Sequence, residues 1–171
     1  GVIVQPVSSW RYLHEALGKW DALACRYQEA FIAGHISYRK FCELDAAHWK
    51  GMRESEVQRI FHEIPFTQNA IRAISSLQAT GLKLIALSIG IQYVPNMLKN
   101  LCLFDTILSN ALESAHGVLT GGVSITISHG EKGDVARRIL KTMGISPEES
   151  IAIGDSDGDI PVAKLAGYSI A

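Results

Sequence analysis

The stretch 151-IAIGDSDGDIP-161 decides the fold: an apolar run, a glycine, then three aspartates at 155, 157 and 159. The apolar run predicts a buried β-strand, and the aspartates follow directly at its end. In open α/β sheets, ligands bind beyond the carboxyl ends of the strands. Three like charges at this place therefore predict a site where a bound cation offsets part of the negative charge.

Two kinds of cation site fit an acidic loop, and the sequence separates them. A calcium-binding EF-hand loop needs glycine at its sixth position and a bidentate glutamate at its twelfth. Counted from Asp155, those positions hold Ile160 and Ala166, which excludes the EF-hand. A magnesium-type site remains, in which carboxylates hold a cation that itself holds a phosphate. The simpler alternative is a solvated acidic turn.

Two further features lie near predicted strand and helix ends. The strand 83-KLIALS-88 ends in Ser88, and Ile89 and Gly90 follow it before a helix begins. A hydroxyl and backbone N–H groups at such a point favour an anion, although serine at a strand end is often only a turn residue. Lys132 precedes a second helix and would neutralise a phosphoryl oxygen, or it is simply a solvated surface lysine.

The chain divides into two parts with different hydrophobic patterns. From Ser8 to about Ile64 the apolar residues recur with helical spacing. After Pro65 the predicted strands, at 83–88, 105–108, 123–128 and 150–154, alternate with helices. Alternation of this kind indicates right-handed crossovers and a largely parallel sheet, so we predict an α/β fold carrying a helical insertion.

Composition narrows the class of ligand. The 171 residues are 47% hydrophobic with a net charge of -1, which suits one globular domain with an insertion and offers no bulk attraction to nucleic acid or anionic lipid. A small soluble ligand is the expected partner. The three cysteines are widely separated, so we expect buried, reduced thiols. Without a leader pattern or an apolar run of about twenty residues, we expect a cytoplasmic protein and no membrane association.

The order of these features resembles a known family. Ser88 after an apolar strand, Lys132 some forty residues later and GDSDGD after another strand resemble the second, third and fourth motifs of the haloacid dehalogenase superfamily. The helical region 8–64 resembles the C1 cap of its phosphoserine phosphatase-like branch. The resemblance implies a Rossmann-like parallel sheet flanked by helices, formed by residues 1–7 and 65–171, with the helical cap inserted.

The resemblance also implies a reaction, the hydrolysis of a small phosphate monoester by a Mg²⁺-dependent phosphatase. In that family the serine and the adjoining amides hold the transferring phosphoryl group, which here assigns Ser88, Ile89 and Gly90. The lysine neutralises the phosphoryl group and positions the nucleophile, which assigns Lys132 a catalytic role.

The metal-binding residues implied by the family fall in the acidic loop. Asp155 matches the acid that ligates Mg²⁺, Asp159 matches the acid that holds the metal's water shell, and Asp157 has no assigned role. The family's first motif, D-x-D-G-[TV], ends here at Gly1 and Val2. We therefore expect the nucleophile and the general acid, with the central strand, just before Gly1, in a native protein longer at both ends.

The substrate is less well defined by the sequence. Phosphoserine phosphatases bind their substrate with a glutamate and a cap arginine, and a gap-free alignment puts Val7 and Asp45 at those positions. This argues against phosphoserine. Two other functions stay open: a phosphotransferase of the same fold and, if the chain truly starts at Gly1, a non-catalytic module that binds phosphate or metal.

Overall fold

Four helices follow one another in the first part of the chain. The computed structural model describes residues 1–171. The four helices are α1 (Ser9–Ala16), α2 (Ala22–Ile32), α3 (Tyr38–His48) and α4 (Glu54–His62). The first three begin after Ser8, Asp21 and Ser37, whose side chains accept hydrogen bonds from first-turn N–H groups. Such caps satisfy N–H groups that a helix cannot pair internally. The structure is helical where the sequence pattern predicted helices.

Strands and helices alternate in the rest of the chain. The elements are α5 (Ala70–Ala79), β1 (Ile85–Ile91), α6 (Tyr93–Asn100), β2 (Thr106–Ala115), β3 (Val118–Ser124), α7 (Lys132–Met143), β4 (Ile151–Ile153), α8 (Ile160–Leu165) and β5 (Tyr168–Ile170). Short 3-10 turns lie at Pro147–Glu149 and Asp157–Asp159. The predicted α/β class is confirmed. None of the eight α-helices has the length and apolar character that crossing a bilayer requires.

Two of the three strand pairings are parallel, as predicted, and the third is antiparallel. Strand β1 pairs with β2 in parallel, and β2 pairs with β3 antiparallel. Strands β4 and β5 form a separate parallel pair. Two apolar residues of β4, Ile151 and Ile153, are 62% and 52% exposed. These two apolar side chains of β4 are thus exposed to solvent, whereas the apolar sequence predicted a buried strand.

Residues 106–124 form a hairpin that the sequence pattern did not predict. Its two strands are joined by His116 and Gly117, which have φ of 53° and 75°. Two successive positive φ values are typical of a type I′ turn, whose twist matches that of a two-stranded ribbon. The strand predicted over 123–128 is wrong in position, because β3 ends at Ser124.

One hydrophobic core joins the helices to the three-stranded sheet. It contains Trp10 and Trp49, stacked with ring centroids 5.8 Å apart, together with Leu112 of β2. Because the buried side chains come from both parts of the chain, the helices are held against the sheet by packing. Cys42 lies in this core, whereas Cys25 is half-buried and Cys102 is exposed, so the predicted burial of all three thiols holds only for Cys42.

A buried acid–imidazole pair lies within the helical region. His14 Nε2 and Asp45 Oδ1 are 3.2 Å apart, and the two side chains are 0% and 1% exposed. Their relative angle leaves both atoms without a good hydrogen bond. Burial raises the pKa of the Asp45 carboxyl, and the nearby imidazole offsets this only in part. The ionised form of Asp45 therefore costs the folded state free energy.

We expect Asp45→Asn to stabilise the protein at neutral pH. A carboxyl whose pKa is raised by folding contributes stability below its unfolded pKa and loses it as pH rises through the folded pKa. Asparagine resembles the protonated acid and keeps that stability. The gain at pH 7 should be about 1 kcal/mol, and it should vanish below about pH 4, where the acid is protonated in both the folded and the unfolded state. Urea unfolding at both pH values measures it.

The matched control is Asp105→Asn, for which the opposite sign is expected. Hydrogen bonds from Lys83 Nζ at 2.8 Å and from the Leu84 N–H at 2.9 Å hold the pKa of Asp105 below its usual range. The wild-type carboxylate then contributes stability above about pH 4 that asparagine loses. A lower stability of Asp45→Asn than of wild type at pH 7 would mean that the buried ion pair is net stabilising.

Candidate active site

The predicted phosphate-binding segment lies at the carboxyl end of β1. The strand runs through Ile91, and its pairing with β2 is irregular between Leu87 and Ile91. Within this irregular part, Ser88 Oγ accepts a hydrogen bond from the Gly90 N–H at 3.0 Å. Ser9 Oγ accepts one from the Ile91 N–H at 3.0 Å. The serine hydroxyl and the Gly90 amide are therefore neighbours, as an anion-binding segment requires.

Glycine is needed at position 90 because α1 approaches the strand closely. A Cβ on Gly90 would lie 2.4 Å from Ser9 Oγ, far inside normal contact distance. The start of α1 is thus held directly against the segment that contains Ser88. The sequence pattern alone did not indicate this contact.

The acidic loop is organised around Asp159. Its Oδ2 accepts hydrogen bonds from Ser156 Oγ at 2.7 Å and from the N–H groups of Asp155 and Ser156, both at 3.2 Å. A Cβ on Gly154 would lie 2.3 Å from the Asp159 Cβ, so only glycine lets this side chain fold back over the end of β4. The three aspartates therefore differ: Asp159 is half-buried within the loop, while Asp155 and Asp157 are exposed.

Lys132 reaches this loop from the first residue of α7. Its Nζ lies 2.5 Å from Asp159 Oδ1, and the residue is only 7% exposed. The approach depends on close packing of α7 on α8, because a Cβ on Gly133 would lie 2.9 Å from the Pro161 Cβ and carbonyl oxygen. The solvated surface lysine considered above is therefore the wrong interpretation of Lys132.

Lys132 and Asp159 form a charged pair with both carboxylate oxygens occupied. Burial alone would raise the pKa of Asp159, but hydrogen bonds from Lys132 and Ser156 outweigh burial and hold that pKa below its usual range. One oxygen binds Lys132 and the other binds Ser156, which leaves Asp159 suited to orienting the ammonium group. Its predicted contact with a metal or the metal's water shell stays a prediction.

Asp155 lies beside the first residue of the chain. Its Oδ2 is 3.1 Å from the Gly1 nitrogen, and its side chain is 39% exposed. Thr67 Oγ1 donates to the Gly1 carbonyl oxygen at 3.1 Å, which helps hold this residue in place. Asp155 thus lies beside the Gly1 nitrogen and has an accessible carboxylate.

The residues present fit a magnesium ion in part. No group of three or more His, Cys, Asp and Glu side chains is arranged to hold a metal ion. Mg²⁺ keeps several waters and is usually bound by one or two carboxylates together with phosphate oxygens. The accessible carboxylate of Asp155 suits one of those positions, whereas the oxygens of Asp159 are already occupied.

Two of the predicted features lie near the acidic loop. A Cβ on Gly158 would lie 3.7 Å from Ile89 Cδ1, so the Ile89 side chain lies near the acidic loop. Lys132 joins the same loop through Asp159. The end of β1 and the start of α7 therefore each lie near the loop after β4, and a shared site for Ser88, Lys132 and Asp155 stays a prediction.

Sequence reasoning missed the residues that hold the end of β1 from behind. The carbonyl oxygen of Ile89 accepts hydrogen bonds from Tyr38 Oη, from Asn110 Nδ2 at 2.9 Å and from Trp10 Nε1 at 3.3 Å. The one available signal was a polar Asn110 within the apolar strand sequence TILSNAL. The sequence shows no reason to connect it with Ile89.

The fold and the order of these motifs were compared with those of known families. The family model for haloacid dehalogenase-like hydrolases matches residues 3–164. The chain belongs to this family, as the order of its motifs predicted. The resemblance to the phosphoserine phosphatase-like branch is confirmed by curated relatives.

Among the curated relatives are phosphoserine phosphatases from three organisms. The protein of Idiomarina loihiensis is 31% identical over 144 residues, which are 84% of this chain and 66% of the relative. The protein of Archaeoglobus fulgidus is also 31% identical, over 84% of this chain and 42% of the relative. The protein of Albidiferax ferrireducens is 30% identical over 92% and 69%. The chain thus spans 42% to 69% of the length of these relatives.

Two solved structures share the fold. A substrate-bound phosphoserine phosphatase complex superposes with a TM-score of 0.80 at 23% identity, over 94% of this chain and 76% of that one. A phospho-aspartyl intermediate analogue of phosphoserine phosphatase gives a TM-score of 0.80 at 24% identity, over 95% and 78%. At these identities the likeness shows the fold, and the predicted haloacid dehalogenase fold is confirmed.

Proposed function

We propose that the protein is a Mg²⁺-dependent phosphohydrolase that acts on a small phosphate monoester through an aspartyl-phosphate intermediate. The observation that carries the proposal is the buried Lys132, whose ammonium group lies 2.5 Å from Asp159 beside the exposed Asp155. A cation and an accessible carboxylate at one sheet edge suit a phosphoryl group and its metal ion. Relatives that are phosphoserine phosphatases support the same chemistry.

Each group at the site has one task in this proposal. Ser88 Oγ and the amides of Ile89 and Gly90 bind the phosphoryl oxygens, and Lys132 neutralises charge that develops on them in the transition state. Asp155 binds Mg²⁺, which when bound supplies positive charge to the phosphoryl group. Asp159 fixes the direction of the Lys132 ammonium group, with a share in the metal's water shell.

The nucleophile and the general acid belong, in this proposal, to a segment that precedes Gly1. Support comes from the Gly1 nitrogen, which lies 3.1 Å from Asp155 Oδ2, so a preceding residue would lie beside the proposed metal ligand. The first carboxylate of that segment attacks phosphorus in line and breaks the P–O bond to the alcohol, which leaves with a proton from the general acid. Water, deprotonated by the same group, then hydrolyses the acyl phosphate, which releases inorganic phosphate and restores the carboxylate.

The helical region 8–64 is proposed as a cap over a core formed by 1–7 and 65–171. Trp10 and Tyr38 of this region donate hydrogen bonds to the Ile89 carbonyl oxygen, which supports a position of the helices against the phosphate-binding segment. A cap so placed excludes bulk water and contacts the leaving group.

The residues at positions 45 and 7 do not favour phosphoserine as the substrate. Asp45 is 1% exposed beside His14, so it presents neither a cation nor an accessible side chain to a substrate carboxylate. Val7 is 77% exposed and offers no charge to an ammonium group. The proposed substrate class is therefore a small phosphate monoester, with phosphoserine as one member to be compared.

We expect the full-length protein to release inorganic phosphate from p-nitrophenyl phosphate at pH 7 when Mg²⁺ is present. The test compares this ester with O-phosphoserine, a sugar phosphate and a nucleoside monophosphate, each with MgCl₂ or with EDTA. The rate should disappear in EDTA and return when Mg²⁺ is added. A phosphorylated acceptor in place of free phosphate would indicate a transferase, and ester binding without turnover would indicate a non-catalytic module.

A further inference from the structure

The carboxamide of Asn110 lies completely buried between two segments that carry site residues. Its Nδ2 donates to the carbonyl oxygens of Ile89 at 2.9 Å and Ile127 at 3.0 Å. Its Oδ1 accepts from the N–H groups of Thr126 at 2.8 Å and Ile127 at 2.9 Å. An amide has two donor hydrogens and two acceptor lone pairs, so every hydrogen-bonding position is used.

The contacts fix which way the amide points. If the oxygen and nitrogen were exchanged, the oxygen would face two carbonyl oxygens and the NH₂ group would face two N–H donors. In a fully buried place each such mismatch leaves polar groups unpaired, and bulk water does not reach them to replace the lost hydrogen bonds. Asn110 is therefore held in one orientation and bridges Ile89 to the pair Thr126 and Ile127.

We propose that Asn110 is a positioning residue that orients the Gly90 N–H toward Ser88 Oγ, where the transferring phosphoryl group is proposed to bind, and holds this segment in register with Lys132. This inference rests on the proposed function. Ile89 lies between Ser88 and Gly90, and Ile127 lies five residues before Lys132 in the chain. The bridge thus connects the two separate segments that supply the proposed phosphoryl-binding groups.

The peptide geometry explains how the effect reaches the site. In a trans peptide the carbonyl group of one residue and the N–H of the next point in opposite directions, and the chain has no cis peptide. Donors that hold the Ile89 carbonyl from behind therefore direct the Gly90 N–H forward, where Ser88 Oγ lies 3.0 Å away. The same donors polarise this peptide and strengthen the Gly90 N–H as a donor.

Tyr38 supports the same peptide from the helical region. Its hydroxyl donates to the Ile89 carbonyl oxygen and lies 3.1 Å from Asn110 Nδ2. Burial raises the pKa of the Tyr38 hydroxyl, which keeps it protonated and able to donate. Replacement of this hydroxyl removes one donor, whereas replacement of the Asn110 amide removes a donor and the bridge.

The test uses Asn110→Asp, which keeps the shape and the Oδ1 acceptor but replaces the NH₂ donor to Ile89 and Ile127 with an oxygen. In the full-length protein with Mg²⁺ and p-nitrophenyl phosphate, kcat should fall about 10²-fold with KM nearly unchanged, because the Gly90 amide acts in the transition state. The inhibition constant of orthovanadate, which mimics that transition state, should rise by a similar factor. Tyr38→Phe should shift both values in the same direction by about tenfold.

Controls separate positioning from stability. Asn96→Asp, an exposed change on α6, should leave both values unchanged. Assays run well below each variant's melting temperature, and a merely structural role would lower the active fraction without changing the vanadate constant. Should Asn110→Asp fail to fold, Tyr38→Phe decides alone. If the wild type is active and the variants have the same vanadate inhibition constant as the wild type, this inference is overturned. If the wild type is inactive, the proposed function is overturned and the inference with it.

Discussion

Replacement of Lys132 by methionine is expected to lower kcat/KM for p-nitrophenyl phosphate about 10³-fold. The ammonium group is the buried cation at the site, and methionine keeps the length and packing of the side chain without the charge. Loss of one preorganised donor to a developing oxyanion typically costs 10²- to 10³-fold, and a charged donor lies at the upper end. Initial rates of the full-length protein with saturating Mg²⁺ provide the measurement.

The control for this variant removes the partner charge as well. Lys132→Met alone leaves the half-buried Asp159 carboxylate without its cation, which should cost about 2 kcal/mol of stability. In the double variant Lys132→Met, Asp159→Asn most of that stability should return while activity stays absent. If the double variant recovers activity together with stability, Lys132 acts through folding and has no catalytic role.

Replacement of Asp155 by asparagine is expected to remove the response to magnesium. Metal ions supply several kcal/mol of charge stabilisation in phosphoryl transfer, so the rate should fall about 10³-fold. Mg²⁺ should raise the melting temperature of wild type and leave that of the variant unchanged, since only the wild type binds the ion well. Thermal unfolding with and without MgCl₂ reads this out independently of turnover.

Asp157→Asn is the matched control, because it removes the same charge two residues away. The Asp157 side chain is exposed and forms no hydrogen bond or ion pair. The rate of the Asp157→Asn variant should therefore stay within about twofold of the wild-type rate. An equal loss of rate in the Asp155→Asn and Asp157→Asn variants would mean that the loop acts only through its total charge. Full activity of the Asp155→Asn variant would mean that Asp155 does not bind the metal ion.

The parts of the fold that sequence reasoning predicted are those set by local chemistry. Helical spacing and the caps at Ser8 and Ser37 define the helical region, since each cap acts within three residues. The apolar run before Asp155 and the glycine between them locate the acidic loop. The alternation of elements led us to expect the end of β1 near that loop, and Ile89 does lie near Gly158, although β1 and β4 belong to separate sheets.

The parts that sequence reasoning missed depend on contacts between distant residues. The hairpin turns at His116 and Gly117, a pair less typical of type I′ turns than Asn-Gly, so its signal was weak. Asn110 reaches Ile89 and Ile127 across strands, and no sequence spacing predicts such a bridge. The three aspartates of the loop differ because only Asp159 contacts Lys132, and that contact depends on the packing of α7 on α8.

The most direct test of the central claim is a crystal structure of the full-length protein grown with Mg²⁺ and orthovanadate. We predict vanadate oxygens within about 3.2 Å of Ser88 Oγ and Lys132 Nζ. We also predict Mg²⁺ about 2.0–2.1 Å from an Asp155 carboxylate oxygen. Vanadate bound away from Ser88 and Lys132, or a cation that does not touch Asp155, would contradict the account.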